Sequence, residues 1–225
     1  MKAKVKKVFL TLTTAIIVAS CSFDDTDNVA YYQAYGVIKE DAKTNGKLYV
    51  RSDEGKVILP SQSNFLSNEN RDSRVWMMYS TDSNIDSDTI KAFVYDFLVV
   101  TQMDFKTQND ESASDDVYLH NIWVAQDYLT LMMDVKANSK FSLENHKYTM
   151  FLDNKSLNSI EEINDIVSSD TVRLEFKYDR NDDAYTESFT KIVALKLDDK
   201  IDAKVLLIKY TTDSGIKEKF VTYTK

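Results

Sequence analysis

Val172-Arg173-Leu174-Glu175-Phe176-Lys177-Tyr178 sets apolar and charged residues in strict alternation. A strand projects successive side chains to opposite faces, so this period of two puts Val172, Leu174, Phe176 and Tyr178 on one side and Arg173, Glu175 and Lys177 on the other. The pattern predicts a half-buried β-strand with its charges in solvent. Leu129, Leu131, Met133 and Val135 repeat it. Working outward, further strands are predicted over 35–40, 47–51, 56–59, 75–79 and 90–105, then over 117–125, 146–152, 187–197, 205–211 and 219–223. Asn45-Gly46, Asp53-Glu54-Gly55 and Asp213-Ser214-Gly215 lie between such runs and tolerate positive φ, so each is read as a hairpin, with Asn181-Asp182-Asp183 as a fourth. Helical spacing follows Ser159, where Ser159-Ile160-Glu161-Glu162 fits a capping box and Ile160, Ile163, Ile166 and Val167 recur. The fold class is all-β with one short helix near 159–168.

Residues 107–116 form a polar run without apolar periodicity, and the domain boundary is placed there. Five strand runs precede it, which suits a small β-barrel over 31–108. Seven follow, which suits a seven-stranded β-sandwich over 115–225. Val75-Trp76-Met77-Met78-Tyr79 is apolar on both faces, as is 205–208. Such strands are either central or covered on their outer face by the neighbouring domain.

The N-terminus reads as an export signal over 1–20. Lys2, Lys4, Lys6 and Lys7 form a basic region ahead of an apolar run at 8–19, and Ala19-Ser20 supply small residues for cleavage. Twelve residues rise only about 18 Å as a helix, short of the ~30 Å hydrocarbon layer. Val18-Ala19-Ser20-Cys21 resembles the bacterial lipobox, which implies cleavage before Cys21 and its diacylation; Val stands where Leu is usual. Cys21 is the chain's one cysteine, so acylation uses the only thiol and no disulfide can form. Residues 21–30 are then an acidic tether. Asp24, Asp25 and Asp27 resemble the signal that sends Bacteroidetes lipoproteins to the outer face of the outer membrane, and read alone they are a solvated linker. The expected location is the outer membrane, lipid-anchored, at the cell surface.

Charge excludes a class of partner. The formal net charge is −8, and loss of the four signal lysines leaves 24 basic residues against 36 acidic ones. Such a surface repels nucleic acid and offers no phosphate-neutralising stripe. The membrane is expected to be held through lipidated Cys21 alone.

Residues that carry chemistry are sparse. His120 and His146 are the two histidines, neither with a second ligand at metal spacing, and His120 falls inside a strand. No Gly-x-Ser-x-Gly elbow presents a nucleophile, and four glycines leave no phosphate-cradling loop. Asp179, Asn181, Asp182 and Asp183, like Asp82, Asp86 and Asp88, offer oxygen ligands without the spacing of a Ca²⁺ loop and read as solvated tips. No catalytic residue, cofactor or metal is assigned. Tyr31, Tyr32 and Tyr35 are the candidate patch for a protein or glycan partner, since aromatic rings give large contact area; otherwise they pack the tether onto the barrel.

The chain resembles the NigD-like lipoproteins of Bacteroidetes. The resemblance is carried by the lipobox with Asp24 and Asp25, Gly36-Val37, Asp53-Glu54-Gly55 before Leu59-Pro60, and Arg74-Val75-Trp76-Met77-Met78-Tyr79. Asn121-Ile122-Trp123-Val124 before Tyr128-Leu129, His146, and 172–179 complete it. Trp76 departs from the pattern expected after Arg-Val. The resemblance implies an N-terminal OB-like barrel, a C-terminal β-sandwich, and no reaction. The expected function is a non-catalytic binding or structural lipoprotein. The alternatives are a bacteriocin-associated or immunity-type lipoprotein, and a hydrolase using a carboxylate pair.

Overall fold

The computed structural model describes residues 29–41, 46–62, 65–107, 113–153, 171–197, 201 and 204–223. The signal segment 1–20, Cys21, Asp24, Asp25, Asp27 and the helix expected near 159–168 lie outside them.

Five strands form the first unit: β1 (Tyr32–Asp41), β2 (Lys47–Ser52), β3 (Val57–Pro60), β4 (Arg74–Ser80) and β5 (Thr89–Val99). They close in the order β1-β2-β3-β5-β4, the five-stranded barrel of an OB-like fold. Ile38, Val50, Val75, Met77, Ile90 and Val94 fill its interior. Gly36 is required where β1 passes β2, because a Cβ there would meet the Arg51 carbonyl oxygen at 2.5 Å and Val50 Cγ1 at 2.6 Å.

The second unit is a sandwich of nine strands, two more than the spacing predicts. They are β6 (Thr101–Gln102), β7 (Asp104–Lys106), β8 (Tyr118–Ala125), β9 (Tyr128–Ala137), β10 (Lys147–Leu152), β11 (Thr171–Asp179), β12 (Glu187–Lys196), β13 (Val205–Thr212) and β14 (Gly215–Thr222). One sheet has the order β14-β13-β11-β10-β7 and the other β6-β12-β9-β8. The run 90–105, read as one strand, is three: β5 stays in the barrel, while β6 pairs with β12 and β7 with β10. The chain therefore passes between units at Val100, ahead of the polar run at 107–116.

Asp53-Glu54-Gly55 and Asp213-Ser214-Gly215 form hairpins, with Gly55 at φ 85° and Gly215 at φ 105°. Asn181-Asp182-Asp183 does not. Asn181 and Asp182 do turn with positive φ, but β11 and β12 belong to different sheets, so the turn carries the chain across the sandwich.

On β11 the inward set is as the alternation requires, with Leu174, Phe176 and Tyr178 buried in the core. The outward set is not uniformly solvated. Lys177 is buried, and its ammonium lies 5.2 Å from the Phe151 ring centroid. A long aliphatic stem covers apolar surface there while the charge finds an aromatic face.

Candidate functional site

Among the described residues, the barrel's outer wall on β1, β4 and β5 holds the largest group of open rings. On β4, Val75, Met77 and Tyr79 point into the core, so Trp76 and Met78 point outward and are half-buried. On β5 the inward residues are Ile90, Ala92 and Val94, leaving Phe93 outward. The ladder then slips: Tyr79 pairs with Val94 but Met78 pairs with Asp96, so Tyr95 is an extra residue at a β-bulge. Period two already sends Tyr95 outward beside Phe93, and the bulge shifts the phase after it, so that Asp96 also faces outward and Phe97 returns to the core. Tyr31 is 58% exposed, Phe93 49% and Tyr95 43%, with Leu98 beyond them at 50%. The Tyr31–Tyr95 and Phe93–Tyr95 ring centroids are each 4.9 Å apart. The three rings form one cluster.

Of the tyrosines read from the sequence as a patch, Tyr31 alone belongs to it. Tyr32 turns inward against Tyr79, with centroids 5.8 Å apart, and packs on the barrel core. Tyr35 meets Trp123 of the sandwich edge-on at 5.1 Å. Period two on β1 separates Tyr32 from its neighbour Tyr31, a distinction that a cluster of one residue type conceals.

Tyr35 belongs to the junction between the units, which centres on a fully buried arginine. Arg74 donates both terminal nitrogens to the Asp53 carboxylate, one of them at 2.5 Å, and its Nε to Thr130 Oγ1 at 3.2 Å. Trp123 Nε1 donates to the same carboxylate at 2.9 Å. The guanidinium carbon lies 5.9 Å from the Tyr35 ring centroid and 6.0 Å from that of Trp123. Gln126 donates to the Ser52 carbonyl at 3.1 Å, and the Tyr128 hydroxyl donates to the Asp72 carbonyl. Val37, Val100, Tyr128 and Ala194 pack beneath. Burial pushes the Tyr128 hydroxyl up to about 12. It also raises Tyr35, against the pull of Arg74. Every charge here is satisfied by protein, which makes the junction a clasp.

His146 sits in a second polar network inside the sandwich. Its Nε2 is 3.0 Å from Asp183 Oδ2 and its Nδ1 is 2.7 Å from the Tyr178 hydroxyl. Asp183 accepts the Asn138 N–H at 3.0 Å and lies 2.7 Å from Ser142 Oγ. The Asn138 amide and the Ser142 hydroxyl hold its carboxyl below the usual range. An ionised carboxylate only accepts, so Nε2 donates to Asp183, while the Tyr178 hydroxyl beside Nδ1 also reaches the Lys136 carbonyl at 3.2 Å. Ser142 thus meets the aspartate and not the imidazole, the wrong order for activating a hydroxyl. His120 bonds Asp134 Oδ1 at 2.8 Å, at a bulge in β8.

The neighbouring cleft is lined by Asp115, Asp179, Arg180, Asp182, Asp183 and Tyr185. Asp115 is engaged by Arg180 at 2.8 Å, and Arg180 lies 4.6 Å from the Tyr185 ring centroid. Burial raises the Asp115 carboxyl, but the Arg180 contacts outweigh it and leave it low. Among the described residues no group of three histidines, cysteines or carboxylates is placed to hold a metal ion.

Comparison with known proteins agrees with this architecture. A Bacteroides vulgatus protein of unknown function superposes with a TM-score of 0.66 at 16% identity, over 87% of this chain and 92% of its own. A NigD-like immunity protein from Bacteroides caccae does so with a TM-score of 0.57 at 18% identity, over 87% and 94%. At these identities the likeness is one of fold. No curated protein sequence matches the chain. Residues 100–223 match the NigD-like C-terminal β-sandwich domain, more than half of the chain, and the protein therefore belongs to the NigD-like family.

Proposed function

We propose that this protein is a lipid-anchored lipoprotein of the outer membrane, displayed at the cell surface, with a non-catalytic binding or structural role. One observation carries the reading: a basic region, a twelve-residue apolar run, Val18-Ala19-Ser20-Cys21 and the aspartates of the tether follow one another in order. The absence of a reaction is supported by the two polar networks. Arg74 and Asp53 are consumed by the junction, and His146 faces Asp183 and Tyr178 with its side chain fully buried.

Cys21→Ala tests the anchor, because diacylation is the only attachment in this reading. The variant should leave the detergent phase on phase partitioning; a variant that still enters it overturns the anchor. Replacing Asp24, Asp25 and Asp27 together with alanine should remove protease accessibility on intact cells, and unchanged accessibility would reduce the aspartates to a tether.

The described immunity role of the Bacteroides caccae protein favours a second reading, an immunity-type lipoprotein on the same scaffold. Deleting the gene should then increase killing of the cells by bacteriocin-producing neighbours.

A further inference from the structure

The open rings of the barrel wall lie where the tether enters. Tyr31 is itself one of them, and the described chain begins two residues earlier at exposed Val29. Tyr31 is ten positions after Cys21. That length reaches at most about 33–36 Å when extended. We propose that the wall formed by Tyr31, Trp76, Met78, Phe93 and Tyr95 rests on the headgroup layer of the bilayer that holds Cys21, an inference that depends on the lipid-anchor reading above.

Three features of the wall fit that occupant. Its chemistry is that of the membrane boundary, where Trp and Tyr concentrate because an apolar ring sits beside a polar tip. Its charge is balanced: Lys91 and Asp96 are the exposed charged residues flanking the rings on β5, in a protein that carries 24 basic residues against 36 acidic ones once the signal is removed. Docking therefore needs neither basic residues nor anionic lipid. The bulge leaves Tyr95 without a partner in the β4–β5 ladder, so an exposed ring sits where pairing is lost. Weak contact suffices, because a lipid at Cys21 makes docking an intramolecular step at high effective concentration.

The two tryptophans allow a direct test, since Trp76 lies on the wall and Trp123 in the junction. The lipidated protein, purified from membranes, is reconstituted into phosphatidylcholine vesicles with and without brominated acyl chains. Flotation reads the anchor and tryptophan quenching reads the docking. The expected result is flotation with quenched emission that Trp76→Phe abolishes and 1 M salt preserves. Phe93→Ser/Tyr95→Ser, two outward positions, should float equally well and lose at least half of the quenching. A protein that floats with unquenched Trp76 overturns docking and leaves the anchor standing. Undiminished quenching in the double variant also overturns it, as would protection of Trp76 by a polysaccharide or protein in place of the vesicle. A protein that fails to float overturns the anchor reading and this inference together.

Discussion

One wall of the barrel is built in two ways. Towards the sandwich, β1 and β4 present Tyr35 and Arg74, and the second unit meets them with Trp123 and Thr130. Further along, β5 and the residue ahead of β1 present Tyr31, Phe93 and Tyr95, which stay exposed beside half-buried Met78. The covered stretch is polar at its heart and the open one is aromatic. A surface that always faces the same partner in its own chain can hold a buried charge, because every donor is met in fixed geometry. A surface without a fixed partner gains from rings that need no exact acceptor.

The covered stretch is broken most severely by removing one ion. Asp53→Ala leaves the Arg74 guanidinium buried and takes the acceptor from Trp123, and should cost about 3–5 kcal/mol in denaturant unfolding. Adding Arg74→Met should restore much of that loss, since an apolar side chain of similar length leaves no charge unmet. If the double variant is no better than Asp53→Ala alone, the pair contributes more than mutual neutralisation. Trp123→Phe keeps an aromatic surface beside Tyr35 but loses one charge-assisted hydrogen bond, and should cost about 1.5–3 kcal/mol.

Much of this was legible in the residues. Alternation on β11 and β9 gave the sandwich, and Asp53-Glu54-Gly55 gave its hairpin. Signals failed where local rules are overridden. The β8–β9 turn is Gln126-Asp127, both at positive φ, with neither Asn nor Gly to announce it. Such residues cost of order 1–3 kcal/mol when held this way. Gln126 is fixed by its bond to Ser52 across the junction, a tertiary contact no local pattern records. The open wall was hidden differently. Residues 92–100 are apolar in both phases but for Asp96, so a single polar residue marks the bulge and Thr101-Gln102 alone mark the exit after Val100, neither being a turn signal. Arg74 stood within a family motif but gave no sign that it would be buried.

A smaller effect separates the two units by pH. In the sandwich, Asp115, Asp134 and Asp183 have carboxyls below the ordinary value of 3.8, and in the barrel Asp72 does, through its bond to Lys39. A carboxyl lowered by folding adds stability that is fully present above its unfolded value and drains away as pH falls through the folded one. Stability should therefore fall below about pH 4, and more in the sandwich than in the barrel. Hydrogen exchange of β9 and β11 against β1 and β4 between pH 5 and 2.5 checks this. Asp183→Asn should flatten the acid limb of the sandwich alone, and an equal change in both units would show that the clasp makes them titrate as one.

The open stretch should give the smallest change of all. Phe93→Ser/Tyr95→Ser removes two rings that pack against each other, one of which also meets Tyr31 edge-on, but buries no polar group and opens no cavity. Surface ring pairs contribute about 0.5–1.5 kcal/mol beyond their burial, so the melting midpoint should fall by only a few degrees. Solubility of the delipidated protein should rise, because an exposed apolar cluster favours self-association. A large loss of stability would mean that the bulge depends on Tyr95 and that the rings brace the barrel. A small loss with unchanged stability of the junction would leave the two stretches as distinct solutions, one spent on holding the units together and the other held free for contact.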